Sequence, residues 1–312
     1  MQIMQKKQFA ITLALIITLY AFSGCAVGSD PQDNPGGGKI TVITTLFPQY
    51  DFTRQIAGDR AEVIMLLPPG AESHVYEPTQ ADIIKIEKAD LFIYTGRHME
   101  PWTARIVDGL DGAVLVADIS ENITLYKSHE DEHGDGHEYN PHFWTSPVLA
   151  GIMVDSITNA LCEADPDGSD YYKANALEYK LELDGLDQEI RQMVAESKRN
   201  KAIFAGKFAF HYFFEQYGLE HEAAFDSCAA EAEPSVKRIL QLIDSIKNEG
   251  IPVIYYEELA NPGVAQTISE ETGAKPLLLH SCHNVTLEEF DSGVTYLDLM
   301  YQNLKNLKEG LN

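Results

Sequence analysis

Short apolar runs alternate with amphipathic stretches along most of this chain. Runs of four to six residues rich in Val, Ile, Leu and aromatic side chains are typical of buried strands. Strands are predicted at Ile40–Thr45, Glu62–Leu67, Leu91–Thr95, Ala113–Ala117, Ala202–Ala205, His221–Phe225, Pro252–Tyr256 and Pro276–Leu279. Helices are predicted near residues 49–57, 80–88, 102–109, 147–164, 209–217, 235–249, 263–272 and 294–308. A repeated strand–helix order of this kind predicts an α/β fold with parallel strands.

One segment interrupts the alternation in the middle of the chain. Asp165-Pro166-Asp167-Gly168 ends a helix, and residues 169–199 then contain no proline and a single glycine, Gly185. Apolar residues recur there at helical spacing, and a helix of this length would be roughly 40–45 Å long. We therefore predict two (β/α)4 lobes with parallel sheets, joined by one long rigid backbone helix.

The N-terminus indicates export. Lys6 and Lys7 precede an apolar run that ends at Phe22, and Ser23-Gly24-Cys25 follow, as in a secretory signal peptide over residues 1–24. Cys25 after Ser-Gly is similar to a bacterial lipobox, so we expect a lipid on Cys25; the alternative is an ordinary signal with a chance cysteine. Residues 25–38 are rich in Gly, Pro and Asp and are expected to form a flexible tether.

The folded body is expected to divide into three parts. These are an N-terminal metal-binding lobe over residues 39–168, the backbone helix over 169–199 and a C-terminal metal-binding lobe over 200–312. The formal net charge is −25 at pH 7, which repels nucleic acid and attracts cations. We expect a monomer that does not bind nucleic acid.

Residues 129–142 form a histidine-rich acidic run, His-Glu-Asp-Glu-His-Gly-Asp-Gly-His-Glu-Tyr-Asn-Pro-His. No apolar residue occurs between His129 and Glu138, which excludes a buried helix or strand. The pattern predicts a solvated loop that gathers divalent cations, because imidazole binds zinc, copper and nickel well. The alternative is an acidic loop in which the histidines have no metal role.

Four histidines follow the carboxyl ends of predicted strands, two in each half of the chain: His74, His142, His211 and His280. Ligands of open α/β sheets bind at these ends, so two facing lobes would bring the four imidazoles together. Three or four imidazoles around one ion suit zinc. For His211 a packed core role remains open, and His283 is left open as a ligand, a neighbour of one, or neither.

Three cysteines remain after Cys25. Cys162 lies on the apolar side of a helical pattern and is expected to be a buried thiol. Cys228 and Cys282 lie in loop-like segments and would pair as a disulfide in an oxidising compartment. The competing hypothesis is that one of them is a thiolate ligand of a metal.

Several motifs resemble those of one family, the cluster A-I solute-binding lipoproteins of bacterial zinc and manganese ABC transporters. The resemblance spans about residues 39–310 and rests on Ser73-His74-Val75-Tyr76-Glu77-Pro78-Thr79, Asn140-Pro141-His142-Phe143-Trp144, Phe213 through Tyr217-Gly218-Leu219, Ala232-Glu233-Pro234-Ser235 and Glu271-Thr272-Gly273-Ala274-Lys275. The acidic His-rich loop before His142 is similar to that of the zinc-preferring branch.

The resemblance implies His74 and His142 as metal ligands. The third family ligand falls on Lys207, with His211 one helical turn later as a substitute, and the fourth falls on His280, where the family often has Asp. Asn140 stands where the family often has Asp before Pro-His. The resemblance also implies a disulfide between Cys228 and Cys282.

The expected function is that of an extracytoplasmic lipoprotein, anchored to the cell membrane, which captures Zn(II) and delivers it to an ABC permease and its ATPase. It is expected to be a binding protein and not an enzyme. A manganese or iron carrier of the same family is one alternative, although manganese favours carboxylates. A secreted zinc hydrolase is another, although the chain lacks a His-Glu-x-x-His motif.

Overall fold

Two four-stranded parallel sheets form the framework of the protein. The computed structural model describes residues 38–110, 112–127, 139–225 and 234–312. The first sheet has the order β2-β1-β3-β4, made of β1 (Ile40–Thr44), β2 (Ala61–Met65), β3 (Leu91–Tyr94) and β4 (Leu115–Asp118). The second has the order β6-β5-β7-β8, made of β5 (Lys201–Phe204), β6 (Glu220–Ala223), β7 (Val253–Tyr256) and β8 (Lys275–Leu278).

Helices follow most of the strands and cover the sheets. They are α1 (Phe47–Ala57), α2 (Gln80–Glu87), α3 (Thr103–Val107), α4 (Pro147–Ala164), α5 (Ser169–Glu196), α6 (His211–Tyr217), α7 (Val236–Glu249), α8 (Gly263–Thr272), α9 (Leu287–Ser292) and α10 (Tyr296–Gly310). The predicted strands and helices are confirmed, with boundaries that differ by a few residues. The prediction missed the short helix α9, whose six residues carry too little periodicity.

The long helix α5 spans 28 residues, or about 42 Å at the usual rise per residue. Its buried positions follow each other at alternating spacings of four and three residues, as in a single stripe: Tyr172, Ala176, Tyr179, Leu183, Leu186, Ile190 and Met193. Leu177 and Leu181 lie off that stripe and are each 64% exposed. Helix α5 packs against α1 and α4 of the first lobe and against α6 and α10 of the second.

One hydrophobic core runs through both lobes. It contains Val42 from the first sheet, Leu186 from α5 and Phe204 from the second sheet. Two smaller clusters cover the other faces of the sheets, one around Phe92 and one around Ile254. Residues 38–312 form one compact unit, so the two lobes and α5 belong to a single folded body. None of the helices in the described ranges has the length and apolar character needed to span a bilayer.

Candidate metal centre

Three histidines from loops beyond the carboxyl ends of strands come together between the two sheets. His74 lies in the loop after β2, His142 in the long connection after β4, and His283 in the loop after β8. In each sheet the strands are parallel, so these loops share one edge of their sheet. The first lobe therefore contributes His74 and His142, and the second contributes His283.

The ring nitrogens of these three residues are spaced for a metal ion. One nitrogen of each lies within 4.8 Å of the others, and the Nε2 atoms of His74 and His142 are 3.4 Å apart. Two nitrogens that each lie ~2.0–2.1 Å from a tetrahedral zinc are separated by about 3.3–3.4 Å. The spacing of this pair is therefore that of two zinc ligands.

Asn140 sets the orientation of His142, which is 1% exposed. The Asn140 Oδ1 atom is 2.8 Å from His142 Nδ1 and also accepts the His142 backbone N–H at 3.0 Å. An oxygen can only accept, so Nδ1 of His142 carries the proton and Nε2 offers its lone pair to the cluster. Asn140 thus does what a carboxylate does behind a metal-binding histidine, without adding a negative charge.

His283 is placed by the loop that follows β8. Its Nδ1 atom contacts Ser281 Oγ and lies 3.8 Å from Glu258 Oε1, while its buried Nε2 atom has no hydrogen-bond partner among the described residues. Cys282, directly before it, has a positive φ of 62°, a conformation that non-glycine residues seldom adopt. A buried nitrogen without a partner fits a metal ligand, because it would otherwise lose its hydration without compensation.

His280 lies in the same loop but outside the three-histidine group. Its Nδ1 atom accepts the backbone N–H of Cys282 at 3.0 Å, and Asn303 holds its backbone N–H and C=O, each at 2.7 Å. The ring is 1% exposed, and its Nε2 atom also has no hydrogen-bond partner in the described part of the chain. The left-handed turn at Cys282 directs His283, rather than His280, to the cluster.

His211 also lies outside the group. Its Nδ1 atom is 2.9 Å from Asn140 Nδ2, which can only donate, so this nitrogen is an acceptor already in use. The ring packs against Phe208 and His221, with centroid distances of 4.7 and 5.5 Å. His211 begins helix α6, and its contact with Asn140 connects that helix to the support of His142. The three-histidine group thus contains two of the four predicted ligands, His74 and His142. It leaves out His211 and His280, and it includes His283.

A cavity of about 200 Å³ borders His74 and His283. Lys207, at the position where the resemblance implied a histidine, lines it together with Ser73, Asn284 and the carboxylates of Glu72, Glu257 and Glu258. Burial and the charge of Glu258 raise the pKa of Glu257 to about 8, against the attraction of Lys207. Leu259, another lining residue, has a positive φ of 58°.

Glu258 is the carboxylate closest to the second-lobe histidines. Burial would raise its pKa, but the charges that His280 and His283 carry when protonated, with hydrogen bonds from His283 and Ser281, lower the pKa of Glu258 to about 2. Its oxygens accept from the backbone N–H of Ser281 at 2.7 Å and from Ser281 Oγ. The Glu258 Oε1 atom lies 3.8 Å from the Nδ1 atoms of both His280 and His283.

Other predicted features fall wholly or partly outside the described residues. These are Cys25, Cys228 and the run from His129 to Glu138. Among the described residues Cys282 is a free thiol that is fully buried. Burial raises the pKa of this thiol well above its usual value. The raised pKa disfavours Cys282 as a thiolate ligand of a metal. Its pairing with Cys228 stays a prediction, to be checked by mass spectrometry of a non-reduced digest.

Two parallel α/β lobes on a long helix, with histidines from both lobes meeting between them, define a two-lobed metal-binding protein of the solute-binding class. The family described as "ZnuA: Zinc-uptake complex component A periplasmic" matches residues 42–310. The chain belongs to this family, which confirms the resemblance seen in its motifs.

Curated relatives and a solved structure support the same family assignment. The chain is 36% identical over 284 residues to the "High-affinity zinc uptake system protein ZnuA" of Bacillus subtilis, covering 88% of each chain. It is 33% identical to the "Zinc-binding lipoprotein AdcA" of Streptococcus pneumoniae, covering 97% of this chain but only 61% of that protein. The Zn(II)-bound ZnuA-like domain of Streptococcus pneumoniae AdcA superposes with a TM-score of 0.77 at 34% identity, over 88% of this chain and 99% of that one.

Proposed function

We propose that this protein captures Zn(II) outside the cytoplasm through His74, His142 and His283 and passes it to the permease and ATPase of an ABC importer. The observation that carries the proposal is the 3.4 Å separation of the His74 and His142 Nε2 atoms, with His283 completing the group. The relatives named as zinc-uptake and zinc-binding proteins support the identity of the metal.

The donor set favours zinc over manganese or iron. The three grouped ligand atoms are imidazole nitrogens, and no Asp or Glu of the described residues joins them. Manganese is bound best by carboxylate, carbonyl and water oxygens, whereas imidazole suits zinc. The nearest carboxylate, Glu258, instead holds Ser281 and the ring of His283.

Transport requires release as well as capture. Histidine ligands must be neutral to bind a metal, so protonation competes with zinc and lowers the affinity as the pH falls. Because His283 belongs to the second lobe, a small displacement between the lobes would also remove one ligand. Helix α5 packs against both lobes, so we expect displacements of this kind to be small.

We propose in addition that Cys25 carries a lipid that holds the protein at the outer face of the membrane, and that the chain is a carrier without enzymatic activity. One curated relative is itself named a lipoprotein. Metabolic labelling with a radioactive fatty acid checks the anchor: label should enter the full chain and be lost in Cys25→Ala. Label in both would place the lipid elsewhere.

Competition against a chelating zinc dye tests the binding site. The full chain should bind one zinc tightly, and a triple variant with His74, His142 and His283 all changed to Ala should lose that site. His98→Ala is the matched control, because His98 also follows a strand but lies outside the group. Tight binding that survives in the triple variant would overturn the proposal.

A further inference from the structure

Ser281 lies between the buried carboxylate of Glu258 and the ring of His283. Its Oγ atom contacts both Oε1 of Glu258 and Nδ1 of His283. The distance from Glu258 Oε1 to His283 Nδ1 is 3.8 Å, which is too long for a direct hydrogen bond. The Ser281 hydroxyl therefore bridges a carboxylate and an imidazole that do not reach each other.

The backbone of Ser281 is held at both of its polar groups. Glu258 Oε2 accepts the Ser281 N–H at 2.7 Å, and the indole N–H of Trp144 donates to the Ser281 C=O at 2.9 Å. Trp144 belongs to the first lobe and follows His142 by two residues. Contacts from both lobes thus fix the position from which the buried Ser281 hydroxyl reaches His283.

The hydrogen bonds of this bridge can run in two directions. In the first direction, His283 Nδ1–H donates to Ser281 Oγ, and the hydroxyl donates to the ionised carboxylate of Glu258. In the second direction, a protonated Glu258 donates to the hydroxyl, the hydroxyl donates to Nδ1, and the proton of the His283 ring is on Nε2. Only the first direction leaves Nε2 with a lone pair for a metal ion.

The surroundings of His283 Nε2 favour the first direction. This atom is buried and has no hydrogen-bond partner among the described residues. A proton on it would be a buried donor without an acceptor, which is unfavourable. The ring centroids of His142 and His283 are 4.6 Å apart, so a lone pair on Nε2 is close to the other nitrogens of the three-histidine group.

His280 lies equally close to Glu258 but cannot use the carboxylate in this way. Its Nδ1 atom is also 3.8 Å from Glu258 Oε1, yet it accepts the backbone N–H of Cys282 at 3.0 Å. A ring nitrogen that accepts a hydrogen bond has no proton to donate. Of the two histidines in this loop, His283 is therefore the one that the carboxylate supports through Ser281.

We propose that Ser281 is a positioning residue that connects Glu258 to His283, so that His283 Nδ1 carries the proton and Nε2 binds the metal. This inference rests on the proposed function, because it deepens the same site. The two lobes then support their histidines differently. Asn140 holds His142 with a neutral amide oxygen, whereas the second lobe places a carboxylate two hydrogen bonds behind His283. Such a carboxylate makes the ligand more basic and balances part of the charge of zinc.

The metal-free wild type tests the direction of the hydrogen bonds without any substitution. Long-range proton–nitrogen NMR of the full chain, labelled with 15N-histidine, distinguishes the two neutral tautomers, and His283→Ala identifies the signal of His283. At mildly alkaline pH the proton of His283 should be on Nδ1. A proton on Nε2 would overturn the inference, whatever the affinity of the protein for zinc.

Glu258→Gln should reverse the bridge with little change in shape. The Ser281 N–H requires the amide oxygen, so the amide nitrogen faces Ser281 Oγ and donates to it, which leaves the hydroxyl to donate to His283 Nδ1. The proton of His283 should shift to Nε2, and competition against a chelating dye should show zinc binding weakened by about tenfold or more. A Glu258 that only fills space would change neither the tautomer nor the affinity, and that result would contradict the inference.

Substitutions of the serine test the bridge itself. Ser281→Ala should weaken zinc binding by about tenfold or more, and Ser281→Thr, which keeps the hydroxyl, should recover most of the affinity. Ser245→Ala is the matched control, because the Ser245 hydroxyl contacts the Glu222 oxygens at 3.0 and 3.1 Å and neither residue belongs to the metal group. This control should bind zinc as the wild type does.

Equal zinc affinity in Ser281→Ala and the wild type would overturn the inference. Failure of the wild type to bind zinc tightly would instead refute the proposed function. The tautomer of His283 in the metal-free protein is measured independently of zinc, so the two failures can be told apart.

Discussion

The Nε2 atoms of His74 and His142 lie 3.4 Å apart, although the two residues are separated by 68 positions in the chain. Each stands in a loop at the same edge of the first sheet, and Asn140 fixes the proton on the far side of the His142 ring. The first lobe alone thus presents two nitrogens at the spacing of zinc ligands. His283 from the second lobe completes the group only when both lobes are in place.

Replacing His283 should reveal the contribution of the second lobe. We expect His283→Ala to weaken zinc binding by more than about tenfold, comparable to His74→Ala, because each change removes one donor from the group. His211→Ala should weaken binding less, since its Nδ1 atom is used by Asn140. Competition titration ranks the variants, and a larger loss for His211→Ala than for His283→Ala would restore the ligand set implied by the family resemblance.

The role of His280 can be separated from that of a ligand by two substitutions. An asparagine side chain can accept the Cys282 N–H as His280 Nδ1 does, so His280→Asn should keep zinc affinity. His280→Leu leaves that buried donor without a partner and should lower the free energy of unfolding by about 1–3 kcal/mol. Denaturant unfolding and zinc competition measure the two effects. If both variants fold normally but bind zinc weakly, His280 is a ligand, as the resemblance implied.

The histidine-rich loop should bind additional zinc weakly. Its two ends meet at a bridge between Lys127 and Tyr139, and the Asn140 N–H donates to the carbonyl of Tyr126 at 2.8 Å. Because the loop is closed at its base, replacing residues 129–138 by a short Gly-Ser turn should leave Asn140 and His142 in position. Calorimetry of zinc binding should show that the weakly bound zinc ions disappear and that the tightly bound zinc ion remains. Loss of the tight site would place the loop in the primary centre.

Glu100 should make stability depend on pH. Complete burial raises the pKa of Glu100 from 4.5 to about 8, against hydrogen bonds from Thr45 and from the backbone of Thr95. The folded state therefore holds a proton that the unfolded chain releases, so the free energy of unfolding falls as the pH rises from 4.5 towards 8 and levels off above that.

Glu100→Gln resembles the protonated side chain and removes this titration. Relative to the wild type, the variant should lose less stability between pH 5 and pH 8, roughly the window between the two pKa values. Urea unfolding at several pH values measures the slope, with Glu77→Gln as control, because Glu77 is exposed. Parallel slopes in the wild type and Glu100→Gln would show that Glu100 is ionised in the folded protein.

The sequence by itself determined the order of the strands and helices and two of the three grouped histidines. Strands and helices follow from periodicity, which acts over a few neighbouring residues, so their order and approximate bounds could be predicted. His74 and His142 could be named because parallel strands bring their carboxyl ends to one edge. Leu177 and Leu181 show the limit of this reasoning, because both fit the helical spacing but are exposed. Packing against α1 and α4 decides which stripe of α5 is buried.

Only the tertiary structure decided which histidine of the last loop joins His74 and His142 in the three-histidine group. His280 and His283 are three residues apart in an irregular segment, where no periodicity relates a position to a direction. The hydrogen bonds of Asn303 to His280, the fit of Cys282 into the core and its positive φ set the direction of each ring. Asn303 is distant from His280 in the chain, and the φ of Cys282 is a backbone angle. Neither can be read from the local pattern of residues.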